Sequence, residues 1–337
     1  MNPVGAVPGV RPVAPAAGLA WCRARDAMVG KDGMDDHVRP VVVGVDGSAA
    51  SGAAADYAAG VAHGRSLPLH LVYGYLRKLT YGAPIDPLEM AEPVADRTAA
   101  RQLEEISSRL SAKWPDLQVQ IQEILGEAAP ELIEKSRQAE LVVIGSRGRG
   151  GFTGLLLGSV SAKVAAHAYC PVVVVRPPNW SLDASSTEQV VVGVDGSSES
   201  MLALDLGSDE AARLGQSLAV IHTHSEIPAA PQDHEPTTTA QENAKALLAD
   251  AVNRARGRHP DLTVRDEMVY GAGPKLTLIE ASRSATLVAL GSRGRGGFAG
   301  MMLGSVSQAL VHHSECPVLI AHHYLDSDPE THGAPRP

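Results

Sequence analysis

Along this chain, short apolar runs alternate with longer segments of mixed polarity, and the whole alternation happens twice. Val41 to Val45 is a nearly continuous β-branched run, Ala50 to Arg65 is an Ala-rich helical segment, and "LHLVYGY" at Leu69 to Tyr75 is again short and apolar. Strand, helix, strand is the expected order. A long helical segment then covers Pro93 to Lys113, followed by a strand at Leu117 to Glu123, a helix at Ala128 to Arg137 and a strand at Glu140 to Gly145. A glycine-rich loop comes next, a helix begins at Ser159, and "PVVVVR" at Pro171 to Arg176 supplies a fifth strand. Runs that are apolar throughout and alternate with helices predict parallel strands covered on both faces by right-handed crossovers. The fold class is therefore α/β, with a doubly wound five-stranded parallel sheet in the order 3-2-1-4-5. In that order strands one and four are neighbours whose connections leave on opposite faces, which opens a crevice at their carboxyl ends.

Two stretches recur almost unchanged. "VVVGVDGS" stands at Val41 to Ser48 and again at Val190 to Ser197, an offset of 149. "GSRGRGGFTGLLLGS" at Gly145 to Ser159 returns as "GSRGRGGFAGMMLGS" at Gly291 to Ser305, an offset of 146 with twelve of fifteen positions identical. The chain thus reads as tandem units of one fold. The expected boundaries are a disordered Pro/Ala/Gly-rich leader at 1–37, a first unit at 38–177, a linker at 178–189, a second unit at 190–323 and a flexible tail at 324–337. The three-residue difference in offset is expected in the Pro-containing stretch near Tyr81 to Pro93 against Ser225 to Pro236. Met34 stands just before the first strand and is the expected natural start, which the intact mass of natively expressed protein checks.

A length of 337 residues suits two domains. Aromatics make up only 4% of the chain while hydrophobic residues make up 44%, as expected for compact α/β layers. The net charge of −9 excludes a general positive field for nucleic acid or anionic lipid, so any anion must be held locally. Three cysteines make no disulfide framework, and Cys170 and Cys316, in matching "CPV" triplets, read as small buried hydrophobes. No apolar run approaches a membrane span and no secretory h-region is visible, which leaves the cytoplasm as the expected location.

Both repeated motifs fall at the predicted crevice. Gly145 and Gly148 permit backbone that exposes successive N–H groups, and Gly158 lets a ligand approach the next helix closely. Ser159 is placed to cap that helix, with the first free amides and the helix dipole directed at an anion. Arg147 or Arg149 adds a charge-assisted contact or is simply solvated. Asp46 and Asp195 each fit two roles: a carboxylate accepting a ribose hydroxyl or holding magnesium on phosphates, or a cap of the turn through the following serine. Asp56, Asp205 and Asp209 read as surface charges on helices. GxxxxGK[ST] is absent, and G-x-G-x-x-G fails at Thr153 and Ala299. The histidines 222, 224, 312, 313, 322 and 323 come without a completing carboxylate, so no metal site is expected. "SRGRGG" has the composition of an RNA-binding segment, yet it lies between a strand and a helix without interleaved aromatics.

The spacing G-x2-G-x9-G-[ST] at Gly145, Gly148, Gly158 and Ser159, repeated at Gly291, Gly294, Gly304 and Ser305, resembles the nucleotide motif of the universal stress protein family. "VGVDGS" before an Ala-rich helix and the late "CPV" strand are also similar to that family. The resemblance implies ATP or a related adenine nucleotide. It places adenine near Gly44, Val45, Val72 and Gly126, with Gly193, Val194, Ile221 and Gly271 as counterparts. It places the triphosphate on Ser146, Arg147 and Gly148 and on Gly158, Ser159 and Val160, with Asp46 near ribose or metal. Ser292, Arg293, Gly294, Gly304, Ser305, Val306 and Asp195 repeat these roles. It further implies Mg2+ as the companion ion, pairing of the units through their last strands, a homodimer, and an unidentified regulatory protein partner. The expected function is that of a cytoplasmic nucleotide-dependent stress regulator with little turnover; the alternative is a slow ATP hydrolase or adenylyl-transferring enzyme.

Overall fold

A computed structural model describes residues 38–75, 97–148, 157–176, 188–224, 238–271, 273–295 and 302–322. The leader at 1–37, the tail at 324–337, most of the linker, Arg149 and the middles of both glycine loops lie outside the described residues. The first unit runs β1 (Val41–Gly44), α1 (Ala49–Gly64), β2 (Leu69–Tyr75), α2 (Arg97–Lys113), β3 (Val119–Leu125), α3 (Ala128–Lys135), β4 (Leu141–Gly145), α4 (Ser159–His167) and β5 (Val172–Val175). The second runs β6 (Gln189–Gly193), α5 (Ser198–Leu214), β7 (Ser217–His224), α6 (Thr238–Arg258), β8 (Val264–Tyr270), α7 (Pro274–Ala281), β9 (Leu287–Gly291), α8 (Ser305–His313) and β10 (Val318–Ala321).

Each unit has the expected strand order, and the two pair through their last strands, as the resemblance implies. They join into one ten-stranded sheet, β3-β2-β1-β4-β5-β10-β9-β6-β7-β8. Pairing is parallel within each unit, while β5 and β10 meet antiparallel, Val172 opposite Ile320 and Val174 opposite Val318. Antiparallel joining puts the carboxyl ends of the two sets of strands on opposite edges of the sheet, and the two crevices with them.

The first strands are fully buried valines, which is why they show no polar alternation. α1 lays Ala54, Ala55, Ala58, Ala59 and Ala62 on the sheet, all wholly buried, and these small side chains let the helix sit close. Its counterpart α5 is less ordinary. Asp205, Asp209 and Glu210 on α5 are 5%, 6% and 1% exposed, which corrects the expectation that Asp205 and Asp209 are surface charges. Asp205 and Asp209 find partners at the far end of α6: Arg254 binds Asp205 through two bonds of 2.6 Å, and Arg258 and His259 bind Asp209 at 2.5 and 2.7 Å. Asp56, by contrast, stays half exposed and pairs with Arg109.

The contact between units is polar as well as apolar. Glu210 of the second unit accepts bonds from Tyr57 (3.0 Å) and Arg65 (3.3 Å) of the first, and Arg213 closes the cluster. Burial works against the Glu210 charge, but Arg213, Arg65 and Tyr57 together hold its carboxyl below the ordinary range. Near β5, Arg176 donates to the carbonyls of Val311 (3.2 Å) and His312 at the end of α8. His322, at the equivalent place after β10, donates from Nε2 to Ala165 O in α4 at 2.9 Å.

The three-residue change in offset is in fact two changes. Val119 and Val264, which begin β3 and β8, are 145 apart, so four residues are lost between the second strand and the end of the following helix. One is regained between Gly271 and Pro274, because Ala128 and Pro274, which begin α3 and α7, are 146 apart. The stretches 81–93 and 225–236 themselves lie outside the described residues.

Candidate functional site

In the second unit a cleft of about 480 Å3 opens at the carboxyl ends of β6 and β9. β6 delivers Gly193, Val194 and Asp195; β9 delivers Leu290, Gly291, Arg293, Gly294 and Arg295; the start of α8 delivers Gly304, Ser305, Val306 and Ser307. Apolar walls come from Val194, Ile221, Leu278 and Leu290. Asp195 ties the two motifs together: its Oδ1 accepts the Ser197 amide at 3.0 Å and the Ser197 hydroxyl at 2.6 Å, and its Oδ2 accepts the Arg295 amide at 3.0 Å. Partial burial raises the cost of its charge, yet these bonds, with Ser200, hold its carboxyl below the ordinary value. It is therefore an anion at neutral pH. Asp195 does cap its turn, and Ser197 caps α5 by accepting the Ser200 amide at 3.2 Å. The left-handed residue that makes this turn is Gly196, at φ +79°.

The first unit repeats the arrangement. Asp46 Oδ1 accepts the Ser48 amide at 3.0 Å, Ser48 caps α1 by accepting the Ser51 amide at 3.1 Å, and Ser48 Oγ donates to Arg147 O at 3.3 Å. The Ser161 hydroxyl donates to Gly145 O at 2.7 Å, as Ser307 does to Gly291 O, so each helix start is pinned to the end of the fourth strand. Gly158 and Gly304, not the serines, are the N-cap residues; Ser159 and Ser305 are the first helical residues, which corrects the capping role expected of Ser159. A glycine cap has no side chain to occupy the first-turn amides, and Ser159 and Val160 are exposed there.

Other expected residues have different reasons for being where they are. Neither Gly145 nor Gly148 has a positive φ. A Cβ on Gly145 would lie 2.7 Å from the Ala50 carbonyl carbon, and one on Gly148 would run into Asp46 Oδ2. Close approach, not unusual backbone, demands these glycines. Gly44 and Gly193 likewise make room for Leu132 and Leu278, whose methyl groups would lie 2.9 and 2.7 Å from a Cβ at those positions. The amides of Ser146 and Ser292 donate to Val175 O and Ala321 O, so neither is available to an anion. The Ser146 Oγ is buried and has no hydrogen-bond partner among the described residues. Val45 and Val72 are buried beside the first crevice. Gly126 and Gly271 take positive φ, +138° and +71°, at the ends of β3 and β8; Gly271 and Ser292 are not among the residues lining the cleft.

Sequence reasoning overlooked Ser200, His222, Thr223, Pro274, Leu278, Leu290, Arg295 and Ser307, all of which line the cleft. In sequence His222 reads only as a candidate metal ligand; in the fold its Nδ1 donates to Val194 O at 2.7 Å and the residue lines the cleft. Its position one residue after Ile221 on β7 was the available signal. Among the described residues no group of three or more His, Cys, Asp and Glu is placed to hold a metal.

These features define a doubly wound α/β protein built twice, with each crevice at the point where strand order reverses and bordered by an aspartate turn and a glycine loop. The profile of the Universal stress protein family matches residues 37–176 and 187–322. A universal stress protein of Mycobacterium tuberculosis is 36% identical over 285 residues, spanning 83% of this chain and 96% of the relative. Another from the same organism is 32% identical over 293 residues, spanning 85% and 97%. The crystal structure of a universal stress protein from Archaeoglobus fulgidus superposes with a TM-score of 0.61 at 21% identity, covering 86% of this chain and 99% of that one. The chain belongs to the universal stress protein family. No described helix is long and apolar enough to cross a membrane.

Proposed function

We propose that the protein is an ATP-binding stress regulator of the cytoplasm, with one adenine-nucleotide site per unit and little turnover. The observation that carries this reading is the convergence on one cleft of the Asp195 turn, the glycine loop and an uncapped helix start, over an apolar floor. Amides at the start of α8, together with Arg293 and Arg295, suit a phosphate chain. Val194, Ile221, Leu278 and Leu290 suit the faces of a base. Asp195 is one carboxylate, too little for a dedicated metal cage but enough to complete a Mg2+ carried in on phosphates. Both Asp195 oxygens already accept hydrogen bonds, which leaves it poorly placed as a general base and supports retention of bound nucleotide over its consumption. Occupancy then acts by changing association with a second copy or with a regulatory protein.

The test is heat denaturation of freshly purified protein and chromatography of what is released. About two adenine nucleotides per chain are expected, one per helix N-terminus. The Gly148→Ala plus Gly294→Ala double variant, whose new methyl groups collide with Asp46 and Asp195, is expected to release little while keeping its fold. No nucleotide, and no uptake from millimolar ATP-Mg, sinks the reading; steady loss of ATP over hours with magnesium favours the hydrolase.

A further inference from the structure

We propose that the two crevices are specialised by charge, the first for a triphosphate-class anion and the second for a phosphate ligand of lower charge. This deepens the nucleotide reading and rests on it.

Three pairs of equivalent positions carry the inference. Gly145 rests against the Ala50 backbone in the first unit, and Gly291 rests against Glu199 in the second, so Ala50 and Glu199 occupy the same place. Glu199 Oε2 accepts the Ser198 hydroxyl at 2.9 Å, and its Oε1 faces Arg293 Nη2 at 3.7 Å. Arg293 lines the second cleft and is thus already answered by a carboxylate. Its counterpart Arg147 is exposed and has no carboxylate partner among the described residues, because alanine stands where the glutamate would be.

The position after the last strand differs in the same direction. The first unit has Arg176, which remains a cation at any working pH and lies near enough to Arg147 for the two to repel. Glu315, the carboxylate that acts on Arg176 from the second unit, is itself paired with Arg283 at 3.0 Å. The second unit has His322 there, beside Arg293, and burial keeps its ring neutral with a pKa of about 4. Lys163 on α4 leaves this difference unchanged, since it faces Glu127 at 3.8 Å. Arg149 and Arg295 are the same residue type, 146 residues apart in the two copies of the glycine-loop sequence. In the first unit Arg176 is held by the Val311 and His312 carbonyls, so its positive charge is fixed near Arg147, and Arg147 is left to an incoming anion without a carboxylate to compete for it among the described residues. In the second, a polyphosphate must displace Glu199 from Arg293 and then face its carboxylate.

Calorimetric titration of the full chain with ATP-Mg, AMP and inorganic tripolyphosphate tests this, using wild type and the reciprocal variants Ala50→Glu and Glu199→Gln, with melting curves to establish folding. Wild type is expected to show two classes of site for ATP and tripolyphosphate. Glu199→Gln should tighten the weaker class about fivefold, and Ala50→Glu should weaken the tighter class by a similar factor, the scale of one unit charge a few ångströms from phosphate near a protein surface. AMP affinities should move less than about twofold, because fewer charges meet the carboxylate. Two equal sites for tripolyphosphate, or a folded Glu199→Gln variant whose weaker class does not move, overturns the inference. Unequal tripolyphosphate sites without ATP binding would leave charge specialisation standing and remove the nucleotide reading. Binding of neither ligand at millimolar concentration removes both.

Discussion

Gly291 shows how a motif residue is decided by its neighbours. A Cβ there would lie 2.7 Å from Glu199 Cβ and 2.8 Å from the Glu199 carbonyl carbon, with the main chain of α5 unable to yield readily. Gly291→Ala is expected to cost about 1–3 kcal/mol in urea denaturation, the usual scale of overpacking. Gly257→Ala on α6 is the control: its Cβ would meet nothing within 4 Å, and the change should be neutral or stabilising by up to ~1 kcal/mol. Motif spacing exposed the importance of Gly145 and Gly291 but attributed it to backbone freedom. That attribution failed because spacing carries no dihedral angle. The left-handed residues of the crevice are Gly47 and Gly196, one turn away in the aspartate motif.

Between elements, the difference between the units is largest where the first helix packs on the second. In the first unit a half-exposed pair, Asp56 with Arg109, is the ion pair that joins α1 to α2 among the described residues. In the second, Asp205 and Asp209 form a buried ladder to Arg254, Arg258 and His259. Removing Asp209 takes away the carboxylate that Arg258 and His259 both bind, so Asp209→Ala should cost about 3 kcal/mol and speed amide exchange along α6. Asp56→Ala should cost no more than about 1 kcal/mol, as exposed pairs do. Smaller losses at Asp209, comparable to those at Asp56, would show the ladder to be ornamental. The strands and helices were legible from apolar periodicity to within a few residues; β2, Leu69–Tyr75, was legible at both ends. The ladder was not, because each aspartate meets its partner 49 residues away. A charge on a helix looks the same in sequence whether a cation awaits it or water does.

At the scale of the molecule, His322 links the units by donating to Ala165 across their junction. Burial brings its pKa down to about 4 from an ordinary 6.5; the bond to the Ala165 carbonyl opposes this, and the charges of Arg293 and His167 add smaller downward effects. The unfolded chain therefore binds this proton first as pH falls. The contribution of His322 is complete above about pH 6.5 and is lost as pH drops toward 4, a swing of roughly 3 kcal/mol. Asp195 and Glu210, held below their ordinary values, lose stabilising charge on the same acidic side. Denaturation at pH 7 and pH 4.5 should thus show a smaller loss for His322→Gln than for wild type; equal losses would mean the ring is not held neutral.

The sequence by itself determined the duplication, the strand order of each unit and the convergence of the aspartate and glycine motifs on one crevice, because apolar periodicity and right-handed crossovers leave few other arrangements. Pairing through the last strands was implied by the family resemblance, but only the tertiary structure decided that β5 and β10 meet antiparallel, which puts the crevices on opposite edges of one sheet. It alone decided that Glu210 is buried between units and that Glu199 and His322 stand where the first unit has alanine and arginine. These depend on contacts between residues far apart in the chain, whose proximity is a property of packing and leaves no local pattern.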